Sequence, residues 1–348
     1  MRPVPTTHAL VIPSALVDPQ DSAFVQALAG LRLPHLSRLL ARSRLHRSPE
    51  HPAKRLSTAS EWAQAQAWGW AAEDGLLPWA AWHAHQKGLD VHGEQAWAVF
   101  TLCHWHVAQG QVSLEPPAAL AVTAQESDNL RLAMQTYSAQ DGITLHPFVP
   151  GQWLAESDLF RGLPTASPER VVGQAVEDWW VGAGLNPPTA AAQHLRRLQN
   201  EMQMLFYTHP CNATRGKPIN SFWISGTGDL ALANRRLGPS ASVTHAGAAA
   251  IPLSSPAAGD GAPPAWQHPA VQRLHQAAQW RHVAAWAEAW QAVDQELLAP
   301  LAAETTTPRE LVLCGERHAS VVECLPSGWA SWWRAWRAPP LEQALLDR

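Results

Sequence analysis

The residues richest in chemistry for their length lie in one run, "THPCNATRGKPINSFWISGTG", from Thr208 to Gly228. Asn212, Arg215, Lys217 and Asn220 supply hydrogen-bond donors, and the run contains no acidic residue to neutralise them. A guanidinium forks onto a carboxylate or phosphate, and an ammonium adds a point charge. His209, Ser221 and Trp223 add further polar or aromatic groups, and Gly226 and Gly228 allow a close backbone approach. These nine residues are the candidates for holding a small phosphorylated or carboxylate ligand, with Arg215, Lys217 and Asn220 expected in one concavity beside Gly226. The same composition also suits a solvated loop whose asparagines cap turns, and composition does not separate the two.

Two other groups carry chemistry. "CHWH" supplies Cys103, His104 and His106, and "HAH" supplies His83 and His85. On a strand, His104 and His106 share a face and Cys103 takes the other. Zinc needs three or four convergent ligands, so no metal is expected there. Ser14 follows a short apolar run, where α/β enzymes often carry a nucleophile, but Pro13 precedes it and no glycine elbow surrounds it. Walker A, G-x-G-x-x-G, H-E-x-x-H and G-x-S-x-G patterns are absent.

The bounds are those of a globular chain. Its 348 residues are 46% hydrophobic and 16% charged, with a net charge of -4. No global field attracts nucleic acid, and no apolar run approaches the roughly 20 residues of a membrane helix. The N-terminal segment reads as a first strand rather than an export signal, so a cytoplasmic protein is expected. Four cysteines without a C-x-x-C read as buried free thiols, although Cys314 and Cys324 flank an expected hairpin and could lie close together. The 19 tryptophans read as core residues at helical spacing, with Trp329, Trp332, Trp333 and Trp336 the clearest case.

The elements that must position these groups follow from pattern. A strand ends near Ile12. "LPHLSRLLARSRLH" reads as a basic helix with a solvated face, and helices follow Thr58 and Pro78. Hairpins turn at Gly110 and at Pro150-Gly151, with a helix between them that Thr123 and Glu126 open as a capping box. These make a compact α+β subdomain over about 96–158. Leu195, Leu198, Met202 and Leu205 line one helix face that Pro210 ends, and Phe222–Ile224 read as a central strand buried on both faces. Residues 238–265 have linker composition. A helical region and a hairpin around Gly315 follow in 266–348, expected to pack back on a main body of 1–237.

The central run closely resembles the hallmark of the RpfE-type regulatory proteins of proteobacteria. Glu201, Gln203, His209, Pro210, Asn212, Arg215, Gly216, Pro218, Asn220, Ser221, Trp223, Gly226 and Gly228 match that pattern. "FRGLPTASPERVVG", "CHWHV" and "LVLCGERHA" look similar too. Members often carry the label phosphoglycerate mutase, because the N-S-x-W-x-x-G-x-G run is similar to an element of the cofactor-independent mutases. The resemblance implies a degenerate α/β body of the alkaline-phosphatase type, a central mixed sheet flanked by helices. Active members of that superfamily use two divalent metals and a serine nucleophile. This chain departs from that pattern. "VIPSAL" stands where the first strand should end in Asp, and His268, His275 and His282 have no adjacent Asp. The reading is a non-catalytic regulatory or ligand-sensing protein without a cofactor. The alternatives are an active mutase, with Mn²⁺ or Mg²⁺, and a Trp-mediated interaction module.

Overall fold

A computed structural model describes residues 9–48, 50–52, 54–67, 70, 73–91, 96–108, 110–230, 268–303, 309–324 and 339–347. The chain forms two compact units. One comprises Met1–Ala53, Ala59–Trp70 and Leu237–Arg348, and the other Lys54–Thr58 and Ala71–Arg236. Residues 238–265 and Trp329–Trp336 lie outside the described residues.

The first unit is an α/β sandwich. β1 (Ala9–Ile12), β2 (Ser43–Arg47), β9 (Arg309–Cys314) and β10 (Ala319–Cys324) form a sheet in the order β1-β9-β10-β2. β1 and β9 run parallel, and the other pairs are antiparallel. Side chains alternate along a strand. Leu311 and Leu313 face a core shared with helices Ser22–Gly30, Pro34–Ala41, Pro269–Gln279 and Val283–Val293. Val312 and Cys314 face the other way, onto Ala63 of helix Ala59–Ala67. Trp286 and Trp290 are buried in the first of these cores.

One boundary falls between Arg236 and Leu237, but Met1–Ala53 and Ala59–Trp70 group with the C-terminal part rather than with Ala71–Arg236. The C-terminal hairpin is the middle of a sheet whose outer strands come from the first 47 residues. Its cysteines also differ from expectation. Cys314 pairs across from Ala319 and Cys324 from Arg309, so they sit at opposite ends of the hairpin, and all four cysteines are free. The basic segment changes conformation midway. The helix stops at Ala41, and Ser43–Arg47 become β2, because β10 offers a ladder that the helix cannot use. Arg38 and Arg44 are exposed, as a solvated face requires, while Arg42 donates to the Leu301 carbonyl (2.8 Å) and Arg47, just beyond the segment, to the Leu346 carbonyl (2.7 Å). The buried carboxylate of Asp294 accepts from the backbone N–H groups of His35 (3.2 Å) and Leu36 (2.8 Å). It caps helix Pro34–Ala41, whose first N–H groups have no partner within the helix.

The second unit is built on an antiparallel sheet. β3 (Trp97–Cys103), β6 (Thr144–Val149), β7 (Gln152–Glu156) and β8 (Ser221–Gly228) lie in the order β6-β7-β3-β8. β4 (Trp105–Ala108) and β5 (Gln111–Leu114) form a separate hairpin, with Gly110 at φ +78°. Helices Ala124–Ser138 and Ala190–Thr208 cover one face, where Phe100, Trp153, Phe206 and Phe222 pack together. The capping box of Thr123 and Glu126 forms in full. The stretch at 96–158 is not a separate subdomain, because β8 pairs with β3 and continues its sheet. β8 is buried on both faces as expected, but it stands at the end of the strand order rather than in the middle.

His83 lies on helix Trp79–Gln86, with its ring 4.7 Å from Phe148. Burial, with the nearby Lys87 ammonium, pulls its imidazole down to about 4 from an ordinary 6.5. The folded value is below the unfolded one, so the neutral ring stabilises the fold above pH 6.5. That contribution declines as pH falls from 6.5 through about 4. Urea midpoints measured across this window should fall less steeply for His83→Gln than for the parent chain.

Candidate functional site

The run from Thr208 to Gly228 joins helix Ala190–Thr208 to β8. Pro210 starts a short 3₁₀ turn in place of another helical turn, and His209 Nδ1 accepts from the Cys211 N–H (3.3 Å). Asn212 then ties the loop shut. Its amide donates to the carbonyls of Phe206 (2.7 Å) and Ile219 (2.8 Å), and its Oδ1 accepts from the Ile219 N–H (2.8 Å). Helix end and strand start are thereby fixed by one side chain.

The basic pair has partners that are distant in sequence. Arg215 Nη1 donates to Glu126 Oε1 (2.7 Å), Nη2 to the Leu120 carbonyl, and Nε to the Lys217 carbonyl (3.2 Å). Its side chain is 13% exposed and that of Glu126 21%. Burial pushes the Glu126 carboxyl up. The Thr123 backbone N–H, the guanidinium and the Thr123 hydroxyl outweigh it, and the net shift is downward. Lys217 pairs with Glu115. Asn220 binds the backbone of Trp105 on both sides, accepting from its N–H (2.7 Å) and donating to its carbonyl (3.0 Å). Asn220 acts as a bridge partner where the chain leaves β3 for β4.

The other candidates divide along β8. Ser221 is fully buried opposite Cys103, whose thiol pKa is raised by burial. Trp223 is buried and donates to the Ala166 carbonyl (2.8 Å). Gly226 and Gly228 lie at the far end, roughly 20 Å from Ser221 at the usual rise of a strand. A Cβ on Gly226 would meet Trp79 Cβ and the Ala80 nitrogen at 3.3 Å, and one on Gly228 would overlap the Leu76 carbonyl. The glycines admit the start of helix Trp79–Gln86. The structure thus brings Asn212, Arg215, Lys217 and Asn220 together at one end of β8 and sets the glycines at the other, so they line no common concavity. Sequence distance hid the acids: Glu126 lies 89 residues from Arg215, and Glu115 lies 102 from Lys217.

Ser14 stands at the carboxyl end of β1 with φ +53°. Its Oγ is 2.8 Å from His275 Nδ1, and His275 Nε2 is 3.0 Å from Gln279 Nε2. Nδ1 of His275 donates to the Ser14 hydroxyl in one tautomer and accepts from it in the other. A general base needs its lone pair on that hydroxyl. Nearby, Asp347 accepts from the N–H groups of Arg317 (3.0 Å) and His318 (2.9 Å), and its Oδ1 lies 2.9 Å from His318 Nδ1. Asp18 pairs with Arg317 at 2.7 Å. The two divalent metals of the alkaline-phosphatase type do not fit this strand end. Ile12, Pro13 and Ser14 offer no carboxylate. Among the described residues, His104, His106 and Glu115 are the one group of three arranged to hold a metal ion.

No protein-family model matches the chain, and no curated protein does. Among solved structures, the PH0037 protein from Pyrococcus horikoshii is similar, with a TM-score of 0.52 and 14% identity over 96% of this chain and 93% of that one. That likeness shows a shared α/β fold. A cofactor-independent phosphoglycerate mutase from Thermoplasma acidophilum DSM 1728 aligns with a TM-score of 0.36 and 11% identity, over 94% of each chain. A score that low does not support a shared fold by itself. No helix among the described residues is long and apolar enough to cross a membrane.

Proposed function

We propose that this chain is a cytoplasmic regulatory or ligand-sensing protein, akin to the RpfE-type proteins its central run resembles, without mutase turnover. The observation that carries this reading is the carboxyl end of β1. It presents Ser14, hydrogen-bonded to His275, on a strand end that carries no carboxylate of its own. Asp18 is paired with Arg317 and Asp347 with His318. In-line phosphoryl transfer needs metal ions or equivalent charge on the transferring group, and Ile12, Pro13 and Ser14 bring no carboxylate that would hold a metal. The ligand class proposed is a small phosphorylated or carboxylate compound. Such an anion would compete with Glu115 for Lys217, the more exposed of the two basic side chains at 44%.

The test is a coupled assay of 3- to 2-phosphoglycerate conversion with Mn²⁺. The reading expects no turnover above the buffer rate. Turnover that requires the metal and disappears with a chelator would establish the mutase alternative instead. That second reading draws on one observation, the positive φ of Ser14 beside an imidazole, an arrangement seen at strained nucleophiles.

A further inference from the structure

The β4–β5 hairpin carries a group of side chains that the phosphoryl-transfer question leaves unused. His104 and His106 are two residues apart and project to one side, with ring centroids 6.4 Å apart. Cys103 turns the other way into a buried cluster with Trp105 and Trp223, so it is no ligand. The third group comes from the opposite strand. His106 pairs with Ser113, and the Glu115 N–H donates to the His104 carbonyl (3.2 Å), which sets Glu115 across from His104. One ligand atom from each of the three lies within 4.8 Å of the other two.

Two features suit this group to a metal. The first is the fixed tautomer of His104. Its Nδ1 is 2.8 Å from the Pro218 carbonyl, which can only accept. Nδ1 therefore carries the proton, and Nε2 keeps the lone pair a metal needs. A ligating histidine commonly has its other ring nitrogen anchored in this way. The second is the setting of Glu115. It already holds one cation, the Lys217 ammonium. That long side chain is 44% exposed and can swing into water when a divalent ion takes its place. Ligand atoms of a tetrahedral zinc stand roughly 3.3 Å apart at bond lengths of about 2.0–2.1 Å. Side-chain rotation of the exposed His106 and of Glu115 closes the difference.

We propose that His104, His106 and Glu115 form a binding site for a divalent transition ion of the zinc class, with water completing a tetrahedral shell. Two imidazoles and one carboxylate are borderline ligands that select zinc-like ions over magnesium or calcium. The site shares no residue with the β1 strand end that carries the regulatory reading, although its Glu115 is also the partner of Lys217, where the anion is proposed to bind.

The probe is Zn²⁺ itself, titrated into chelator-stripped, untagged full-length protein against a chromophoric chelator. One equivalent should bind with a dissociation constant in the micromolar range, on the order of 1–10 µM. His106→Ala and Glu115→Gln should each weaken it at least about tenfold. Lys217→Met, which removes the competing cation, should tighten it several-fold. Co²⁺ in the same site should give the intense visible bands of a tetrahedral centre, lost in His106→Ala. His106 is exposed, so that variant keeps its fold, and an unchanged circular dichroism spectrum confirms it. Absence of Zn²⁺ binding at 100-fold that concentration, or binding that survives both His106→Ala and Glu115→Gln, overturns the proposal.

Discussion

Gly228→Ala should destabilise the unit of Ala71–Arg236 by about 3 kcal/mol, seen as a lower urea midpoint. Two costs combine. Gly228 has φ +150°, which side-chain-bearing residues rarely adopt, and the new Cβ would run into the Leu76 carbonyl and stand 2.9 Å from the Pro78 nitrogen. Both obstacles are backbone, so neither can rotate away. Gly226→Ala should cost less, because its nearest neighbours stand at 3.3 Å, although its φ of +70° still carries a strain. Gly216→Ala is the control: nothing lies within 4 Å of its Cβ position, and the change should stay within about 0.5 kcal/mol. If the glycines served ligand approach instead, Gly228→Ala would leave the midpoint where it was.

Arg215→Ala should cost about 2 kcal/mol, discounted for partial exposure from the 1.5–3 that each charged hydrogen bond can contribute. The guanidinium satisfies Glu126, the Leu120 carbonyl and the Lys217 carbonyl together. Its removal strips the capping box of Glu126 of its counter-charge and frees the loop between Asn212 and Ile219 from the turn at Leu120. Far-UV circular dichroism with a urea titration reads the loss. Arg215→Lys should recover only part of it, because an ammonium cannot fork onto a carboxylate and two carbonyls in fixed geometry.

What the sequence made legible was local. The capping box at Thr123 and Glu126 and the turns at Gly110 and Gly151 depend on neighbours a few residues apart, and they appear where the pattern places them. Pairings over long distances were out of reach. Nothing in Ala9–Ile12 announces a parallel partner at Glu310–Leu313. Leucine spacing carried the helical reading past Ala41, where the β10 ladder overrides it. At the candidate site, the donors between Asn212 and Asn220 were visible, but Glu115 and Glu126 were not visible as their partners. The third member of the metal-ligand group was within reach. With the turn fixed at Gly110, extending the hairpin register outward from Val107 and Val112 sets Glu115 opposite His104.

The run from His209 to Asn220 is an internal clasp whose basic groups are held by the chain's own acids. A double-mutant cycle between Arg215 and Glu126 tests it most directly, with Arg215→Met, Glu126→Gln and the double variant unfolded in urea. The coupling energy should be about 1–2 kcal/mol, stabilising, as expected for side chains in direct contact within one network. Strictly additive effects, with a coupling below about 0.3 kcal/mol, would contradict it and return Arg215 to the role of a free anion ligand.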